Sequence, residues 1–184
     1  MNVYDFDKTI YDGDCTQDFV CYCIKKYPKC LVAFIKIIYY GPLFLLKIIR
    51  KTKFKEKVYT FLRYIPNIET TCDDFVSLNK HKIKKWYFVK QREDDLIISA
   101  SPEFLINRFC KEIGINYCMA SRVDIHTGKY TGENCYGEEK VHRYDEVYQR
   151  GLIDDFYSDS YSDDPLAKLA KNAYLVQGDE LKGW

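Results

Sequence analysis

Residues 4–9 read Tyr4-Asp5-Phe6-Asp7-Lys8-Thr9 and follow a short apolar run that begins at Met1. That run predicts a buried strand, and open α/β sheets hold their ligands where the strands end. Because residues two positions apart share one face of a strand, Asp5 and Asp7 can converge on one metal ion and one reacting atom if the chain turns there. The stretch therefore predicts the first strand of an α/β domain and the centre of its site.

Three later segments supply polar partners for this carboxylate pair, each beside an apolar, strand-like run. They are Leu96-Ile97-Ile98-Ser99-Ala100-Ser101, Gly137-Glu138-Glu139-Lys140 and Tyr157-Ser158-Asp159-Ser160-Tyr161-Ser162-Asp163-Asp164. Taken alone, Asp5 and Asp7 are also compatible with a turn and a helix cap. The occurrence of all four segments favours the functional interpretation.

In this order the four segments resemble the signature of the haloacid dehalogenase (HAD) superfamily, and most closely its subfamily IB, the phosphoserine phosphatase-like hydrolases. The resemblance extends from Val3 to about Asp179, although residues 19–86 match in position and character more than in identity. It implies an α/β fold with a Rossmann-like core, in which helices flank a parallel sheet, and an inserted α-helical bundle cap of the C1 type. The implied activity is Mg²⁺-dependent hydrolysis of a phosphate monoester.

The resemblance also implies catalytic roles. Asp5 is the nucleophile that forms an aspartyl-phosphate, which divides hydrolysis into two easier steps. Asp7 protonates the leaving alcohol and later deprotonates the attacking water. Lys140 offsets the charge shared by the nucleophile and the phosphate. The phosphate-binding set comprises Thr9, Ser99, Ala100 and Lys140.

Mg²⁺ is a hard ion that prefers oxygen ligands and usually keeps several waters. By resemblance its protein ligands are Asp5, the backbone carbonyl of Asp7, and Asp159. Asp163 then lies outside the ligand shell, where it holds waters or the ammonium group of Lys140.

Three residues depart from the commoner pattern of the family. Lys8 stands where Gly or Ser is frequent, and Ser158 stands where many relatives have Gly. Asp14 occupies the place of an acidic residue that contacts the substrate in phosphoserine phosphatase, which assigns it to substrate recognition. Its shorter side chain leaves that role open, so the resemblance does not identify phosphoserine as the substrate.

The 184 residues suffice for one catalytic domain with an insertion, and 47% of them are hydrophobic. The predicted core comprises residues 1–14 and 91–184, and the predicted cap comprises residues 15–90. The cap carries 16 Lys and Arg against 5 Asp and Glu, whereas the remainder carries 12 against 22. The two regions therefore have opposite electrostatic character.

Apolar periodicity predicts alternating strands and helices, which favours a parallel sheet. The predicted strands are 2–5, 96–99, 117–120, 155–158 and 173–176. The predicted helices of the core are 102–113, with Ser101 as its cap and Pro102 just inside it, then 139–150 and 164–171. Residues 122–132 predict a hairpin or flap, and the predicted cap helices are 18–27, 30–40, 43–51, 53–64 and 72–90.

The strongly apolar segment 31–50 has two interpretations. Lys36, Lys47 and a break at Gly41-Pro42 argue against a membrane-spanning helix. The favoured interpretation packs two short helices into the interior of the cap. The alternative lays them on an anionic membrane, as in subfamily IB members that this arrangement resembles and that act on phosphatidylglycerophosphate.

The remaining expectations concern partners and location. The eight cysteines include no Cys-x-x-Cys pair, and no secretory signal opens the chain. These two features predict a cytoplasmic protein with buried, reduced thiols. If segment 31–50 lies on a membrane, the expected location is the periphery of the inner membrane surface. His81, His126 and His142 are not spaced as a metal site. The basic residues form no recognisable nucleic-acid module, so the expected partner is a soluble phosphate ester and not nucleic acid. A non-catalytic phosphate-binding protein is the alternative from another class, and nothing marks an oligomeric state.

Overall fold

A computed structural model describes all 184 residues. Six strands form one sheet in the order β3-β2-β1-β4-β5-β6, parallel throughout except for the last strand. This arrangement confirms the predicted α/β fold. The strands are β1 (Val3–Tyr4), β2 (Leu96–Pro102), β3 (Tyr117–Ser121), β4 (Asp155–Ser158), β5 (Asn172–Gln177) and β6 (Glu180–Gly183).

The sheet order explains why distant motifs meet. The two-residue strand β1 lies between β2 and β4 and is parallel to both. Their carboxyl ends therefore deliver Asp5, Ser99 and Asp159 to one edge of the sheet, at the point where the strand order reverses. All five predicted strands are present. The short antiparallel strand β6 was not predicted, because its sequence Glu-Leu-Lys-Gly carries little apolar pattern.

Eight α-helices and four short 3₁₀ turns complete the chain. Five of the helices lie between β1 and β2, in the region predicted as the cap. The helices are α1 (Cys15–Lys26), α2 (Val32–Leu45), α3 (Lys51–Tyr59), α4 (Ile68–Asn79), α5 (Lys85–Lys90), α6 (Glu103–Glu112), α7 (Glu138–Asp145) and α8 (Asp164–Ala167).

The hydrophobic interior is divided by the sheet. On one face a cluster of 31 buried residues joins the sheet to the inserted helices. Within it the ring of Phe109 on α6 lies 5.3 Å from Phe6 and 6.1 Å from Phe75 on α4. The smaller cluster on the other face includes Val3 and residues of α7 and α8. Helices α1 and α4 thus share a core with the sheet, and the division at residues 14 and 90 stays a prediction.

Helix α2 differs from its prediction. It continues through Gly41-Pro42 to Leu45, and the predicted helix 43–51 does not form. Proline removes one backbone hydrogen bond, but the ring of Phe44 stacks on Phe54 of α3 at 5.2 Å and packs the last turn of α2 against its neighbour. The chain reverses beyond the helix, where Lys47 adopts a left-handed conformation (φ 58°).

The favoured interpretation of segment 31–50, burial inside the cap, is wrong. Ala33 is the only fully buried residue of α2, and nine large apolar side chains between residues 31 and 48 are exposed. By length and composition alone, Pro28–Leu45 is apolar enough to cross a membrane, with a mean hydropathy of 1.4, and 11% of the segment is buried.

The predicted flap at residues 122–132 is confirmed as a small hairpin, with a bridge between Val123 and Tyr130. It lies against α3, because the backbone N–H of Tyr130 donates to Glu56 at 3.2 Å. Gly128 adopts φ +72°, and a Cβ atom there would lie 2.5 Å from the carbonyl oxygen of Tyr59. Only glycine permits this approach between flap and cap.

We expect Gly128→Ala to destabilise the protein more than Gly114→Ala. Gly114 has a similar φ of +75°, but no atom lies within 4 Å of the place that an alanine methyl would take. The variant Gly114→Ala therefore measures only the cost of a left-handed backbone at a non-glycine residue, about 1–2 kcal/mol. Gly128→Ala adds a backbone clash worth roughly 1–3 kcal/mol. Urea unfolding followed by circular dichroism measures both, and equal losses would show that the flap does not press on Tyr59.

Candidate active site

The loop after β1 positions the first carboxylate. The carbonyl of Phe6 accepts hydrogen bonds from the backbone N–H groups of residues 9–11, so the chain turns immediately after Asp5. Lys8 adopts φ 58° within this turn, and its N–H donates to the carbonyl of Gly13 at 2.8 Å. The left-handed conformation explains why glycine would suit position 8.

Lys140 is the central cation of the site. It lies in the first turn of α7, is 1% exposed, and its Nζ lies 2.7 Å from Asp5 Oδ1 and 2.7 Å from Asp163 Oδ2. Burial alone would lower the pKa of Lys140, but the two carboxylates hold it above its ordinary value. The sheet edge thus brings together the first, third and fourth sequence segments as predicted.

Asp163 is held from two sides. Its Oδ2 accepts a hydrogen bond from Ser158 Oγ at 2.8 Å in addition to that from Lys140. Its Oδ1 is buried and has no hydrogen-bond partner in the protein. Ser158, a departure from the family pattern, therefore positions the acidic residue five places later, and one carboxylate oxygen stays available for a water or ion.

Asp7 is fixed by hydrogen bonds to both of its carboxylate oxygens. The N–H of Cys15 donates to Oδ1 at 2.7 Å, and the hydroxyl of Ser101 donates to Oδ2 at 2.5 Å. The predicted helix cap at Ser101 is therefore wrong. Strand β2 continues to Pro102, which is extended and itself occupies the N-cap position of α6, so Ser101 faces the site instead.

Thr9 connects two of the motifs. Its fully buried hydroxyl accepts from the N–H of Asp159 at 3.0 Å and lies 3.5 Å from Asp5 Oδ2. Both hydrogen-bonding roles of the hydroxyl are used within the protein. This geometry makes Thr9 a positioning residue, and its predicted contact with phosphate stays a prediction.

Ser99 and Ala100 lie at the end of β2, where the register with β3 shifts. Ser99 is 1% exposed, and its Oγ accepts from the N–H of Ser101 at 3.1 Å. The carbonyl of Ala100 accepts from Lys55 and Ser121, both at 3.0 Å. The irregular strand end turns this segment toward the site, which is a common use of a bulge.

Asp159 and Asp14 occupy the rim. Burial raises the pKa of Asp159, and the charge of Lys8 opposes that shift, so the side chain of Lys8 adds positive charge on this side of the site. Asp14 caps α1, with its two carboxylate oxygens accepting from the backbone and side chain of Gln17. The structure thus gives Asp14 a capping role, and its contact with a substrate stays a prediction.

The site carries an excess of negative charge. Burial, reinforced by Asp163, raises the pKa of Asp5 to about 7 despite the attraction of Lys140. Burial and then the charge of Asp14 raise the pKa of Asp7. The site thus contains the carboxylates of Asp5, Asp7, Asp159 and Asp163, of which only Asp5 and Asp163 pair with Lys140, and this excess favours a second cation.

The donor set fits a hard divalent ion that retains waters. No three His, Cys, Asp or Glu side chains converge closely enough to hold a metal by themselves. Mg²⁺ does not require such a cage, since it commonly binds one or two carboxylates and keeps several waters. The unpartnered Oδ1 of Asp163 and the raised pKa values of Asp5 and Asp159 fit a group of oxygen donors for such an ion and its waters.

A cavity of about 520 Å³ opens beside Ser101, between the core and the helices α1, α2 and α3. Its polar lining includes Asp14, Thr16 and Lys55. Its apolar walls include Val20, Ile24, Phe34, Ile37, Phe54 and Val58. The volume is that of an ordinary small-molecule site.

Sequence reasoning missed two residues of this cavity. Lys55 reaches from α3 to the carbonyl of Ala100 and to Asn134, and burial, followed by the charge of Lys51, lowers its pKa to about 8. Nothing in the sequence distinguishes Lys55 from the other lysines of the cap. Ser101 was noticed as a helix cap, and only the length of β2 reveals its contact with Asp7.

Comparison with solved structures agrees with the fold. A protein of unknown function from Bordetella pertussis Tohama I superposes with a TM-score of 0.69 at 15% identity, covering 94% of this chain and 87% of the other. A phosphoserine phosphohydrolase-like protein from Francisella tularensis subsp. tularensis SCHU S4 gives 0.53 at 18% identity, covering 94% and 86%. At such identities the likeness shows the fold alone.

Sequence comparison gives one curated relative and one family model, and the family model identifies the family. Over 105 residues the chain is 31% identical to a protein from Mycobacterium tuberculosis (strain ATCC 25618 / H37Rv) that is named a probable phosphatase, and the match covers 50% of this chain. The chain spans 37% of the length of that relative. The model of the haloacid dehalogenase-like hydrolase family matches residues 3–168. Since this match covers most of the chain, the protein belongs to the haloacid dehalogenase-like hydrolase family.

Proposed function

We propose that this protein is a Mg²⁺-dependent phosphatase that hydrolyses a phosphate monoester through an aspartyl-phosphate on Asp5. The observation that carries the proposal is the buried ammonium group of Lys140, 2.7 Å from both Asp5 and Asp163 at the edge of the sheet. A buried lysine fixed between two carboxylates suits a site that must neutralise phosphoryl charge.

In the first step an oxygen of Asp5 attacks phosphorus, and the bond from phosphorus to the ester oxygen breaks. Asp7 transfers its proton to that oxygen, so the product leaves as a neutral alcohol. The raised pKa of Asp7 supports this role, because the acid must hold a proton before the step. The hydrogen bonds that it accepts from Cys15 and Ser101 fix the orientation of its carboxyl group.

In the second step Asp7, now ionised, takes a proton from water, and the resulting hydroxide attacks phosphorus. The bond from phosphorus to Asp5 breaks, releasing phosphate and restoring the carboxylate. Lys140 offsets the charge on Asp5 before and after this step. Thr9 orients Asp5 relative to Asp159 through its buried hydroxyl.

Asp5, the carbonyl of Asp7 and Asp159 would hold Mg²⁺, with Asp163 beside them. The ion, when bound, supplies positive charge to the phosphoryl oxygens. Ser99 and the backbone of Ala100 would contact those oxygens from the end of β2. We also propose that the protein is located in the cytoplasm.

The cavity suggests the class of leaving group. Ser101 both lines the cavity and binds Asp7, so an alcohol protonated by Asp7 would extend into it. Most of the wall is apolar, and Lys55 provides one cation near the inner end. We therefore favour an ester whose alcohol is largely apolar, such as a lipid or other amphiphile, over a compact polar ester.

We expect Asp5→Asn to abolish hydrolysis and Asp7→Asn to slow it by about 10²–10⁴. Both assays use a panel of phosphate esters with Mg²⁺ and with EDTA, and activity should require the metal. Asp145→Asn, on the same helix as Lys140 but exposed, is the matched control. Normal turnover by Asp5→Asn would eliminate the nucleophile, and phosphate binding without any turnover by the wild type would favour a non-catalytic binder.

We expect Lys140→Met, measured in EDTA, to lower the free energy of unfolding by about 3–5 kcal/mol, because it leaves buried carboxylates without a counter-charge. Lys168→Met provides the control, since Lys168 forms an exposed pair with Asp164 that is worth at most about 1 kcal/mol. Urea unfolding measures both. Equal, small losses in the two variants would show that Lys140 does not balance the site.

The apolar cavity predicts that kcat/KM for monomeric alkyl phosphates rises with chain length, by up to about fourfold per buried methylene. Ile37→Asp, which places a charge in the cavity wall, should flatten that dependence. Leu78→Asp makes a comparable change at an exposed position of α4 outside the cavity and should preserve it. A flat dependence in the wild type would contradict an apolar leaving group.

A further inference from the structure

The outer side of α2 and the turn that follows it form an exposed apolar surface. Of the eighteen large hydrophobic residues exposed in the whole chain, nine lie between residues 31 and 48. They are Leu31, Phe34, Ile35, Ile37, Ile38, Tyr39, Leu45, Leu46 and Ile48. We call this set the α2 surface. On ordinary protein surfaces exposed hydrophobic residues are scattered singly, whereas here half of them lie in one segment.

The α2 surface has a defined orientation. Leu31, Ile35, Ile38 and Leu45 recur at three-, four- and seven-residue intervals and therefore share one helix face. They are 50%, 58%, 61% and 78% exposed. Ala33 on the opposite side is fully buried, so contact with the rest of the cap determines which side faces outward.

Charge around the α2 surface is of one sign. Residues 19–55 contain nine Lys and Arg and no Asp or Glu. Lys36 flanks the apolar face and lies with Lys57 over the ring of Tyr40, each 5.5 Å from its centre. Lys47 and Arg50 follow in the turn to α3. An apolar helix face carried by a segment whose charged residues are all cations is complementary to an anionic lipid surface.

We propose that the α2 surface docks on an anionic lipid bilayer, with α2 lying in the interfacial plane and its basic neighbours on the headgroups. Length and composition alone would permit Pro28–Leu45 to span a membrane, but the charged Lys36 lies near the middle of that segment, which argues against it. Both ends of α2 also return to the same cap. A second copy is a poor occupant, because pairing two such surfaces would oppose cations with cations.

The docked orientation bears on the cavity. Phe34 and Ile37 belong both to the α2 surface and to the cavity wall. Docking would place the cavity next to the lipid, so that an amphiphilic ester could pass from the bilayer into the cavity. This consequence rests on the proposed function, whereas docking itself does not.

The test is co-sedimentation with vesicles of phosphatidylcholine and of an equimolar mixture of phosphatidylcholine and phosphatidylglycerol. We expect salt-sensitive binding to the mixed vesicles only. The double variant Ile38→Glu/Leu45→Glu should lower the partition coefficient at least roughly tenfold. The matched control Leu78→Glu/Val89→Glu adds the same charge at exposed positions outside the α2 surface and should bind nearly as the wild type does.

Two further variants keep the outcome decisive. Lys36→Glu/Lys47→Glu should also reduce binding, and it replaces the apolar double variant if that protein does not give a normal thermal unfolding curve. Asp5→Asn should bind vesicles as the wild type does, which separates docking from turnover. Absence of binding by the wild type, or equal losses in the apolar variant and its control, would overturn the proposal. So would a dimer in light scattering that the apolar variant abolishes, since a second copy would then cover the surface.

Discussion

The ammonium group of Lys140, held between Asp5 and Asp163, is the interaction on which the site depends. It connects the helix α7 to the ends of β1 and β4, which are separate in sequence. The buried carboxylates of Asp5 and Asp163 would repel each other without the cation that lies between them. The ion pairs therefore hold the sheet edge in the arrangement that the proposed phosphoryl transfer requires. Ser158 supports it by a hydrogen bond to Asp163.

The surrounding fold reduces the freedom of these charges. β1 is only two residues long, yet its backbone continues into a turn closed on the carbonyl of Phe6. The side chain of Phe6 is buried against Phe109, so the turn is anchored in the main core. Thr9 then ties the turn to the backbone after β4. Hydrophobic packing and a few hydrogen bonds thus fix a loop that would otherwise be mobile.

The sequence predicted the five parallel strands and the polar segments that follow them, because strands leave strong local apolar patterns. It predicted Asp5, Lys140 and Asp163 as neighbours, and their geometry agrees. It could not identify Lys55, because contact between α3 and Ala100 depends on how the cap packs. The prediction that α2 is buried in the cap was wrong because apolar periodicity identifies the apolar face of a helix but not its partner. The same pattern fits a face packed against protein and a face packed against lipid.

The contacts of the cap also constrain where the cavity can open. Moving α1 or α4 from the sheet would expose the aromatic cluster around Phe109, at a cost that grows with apolar area. The α2–α3 hairpin contributes only Ala33, Val58 and Tyr59 to the buried core, and it adds polar contacts from Lys55 to Ala100 and from Tyr130 to Glu56. Water can replace such hydrogen bonds at small net cost. Moving the hairpin that bears the α2 surface would therefore expose fewer buried apolar residues than moving α1 or α4, and lipid contact and access to the site would act on the same element.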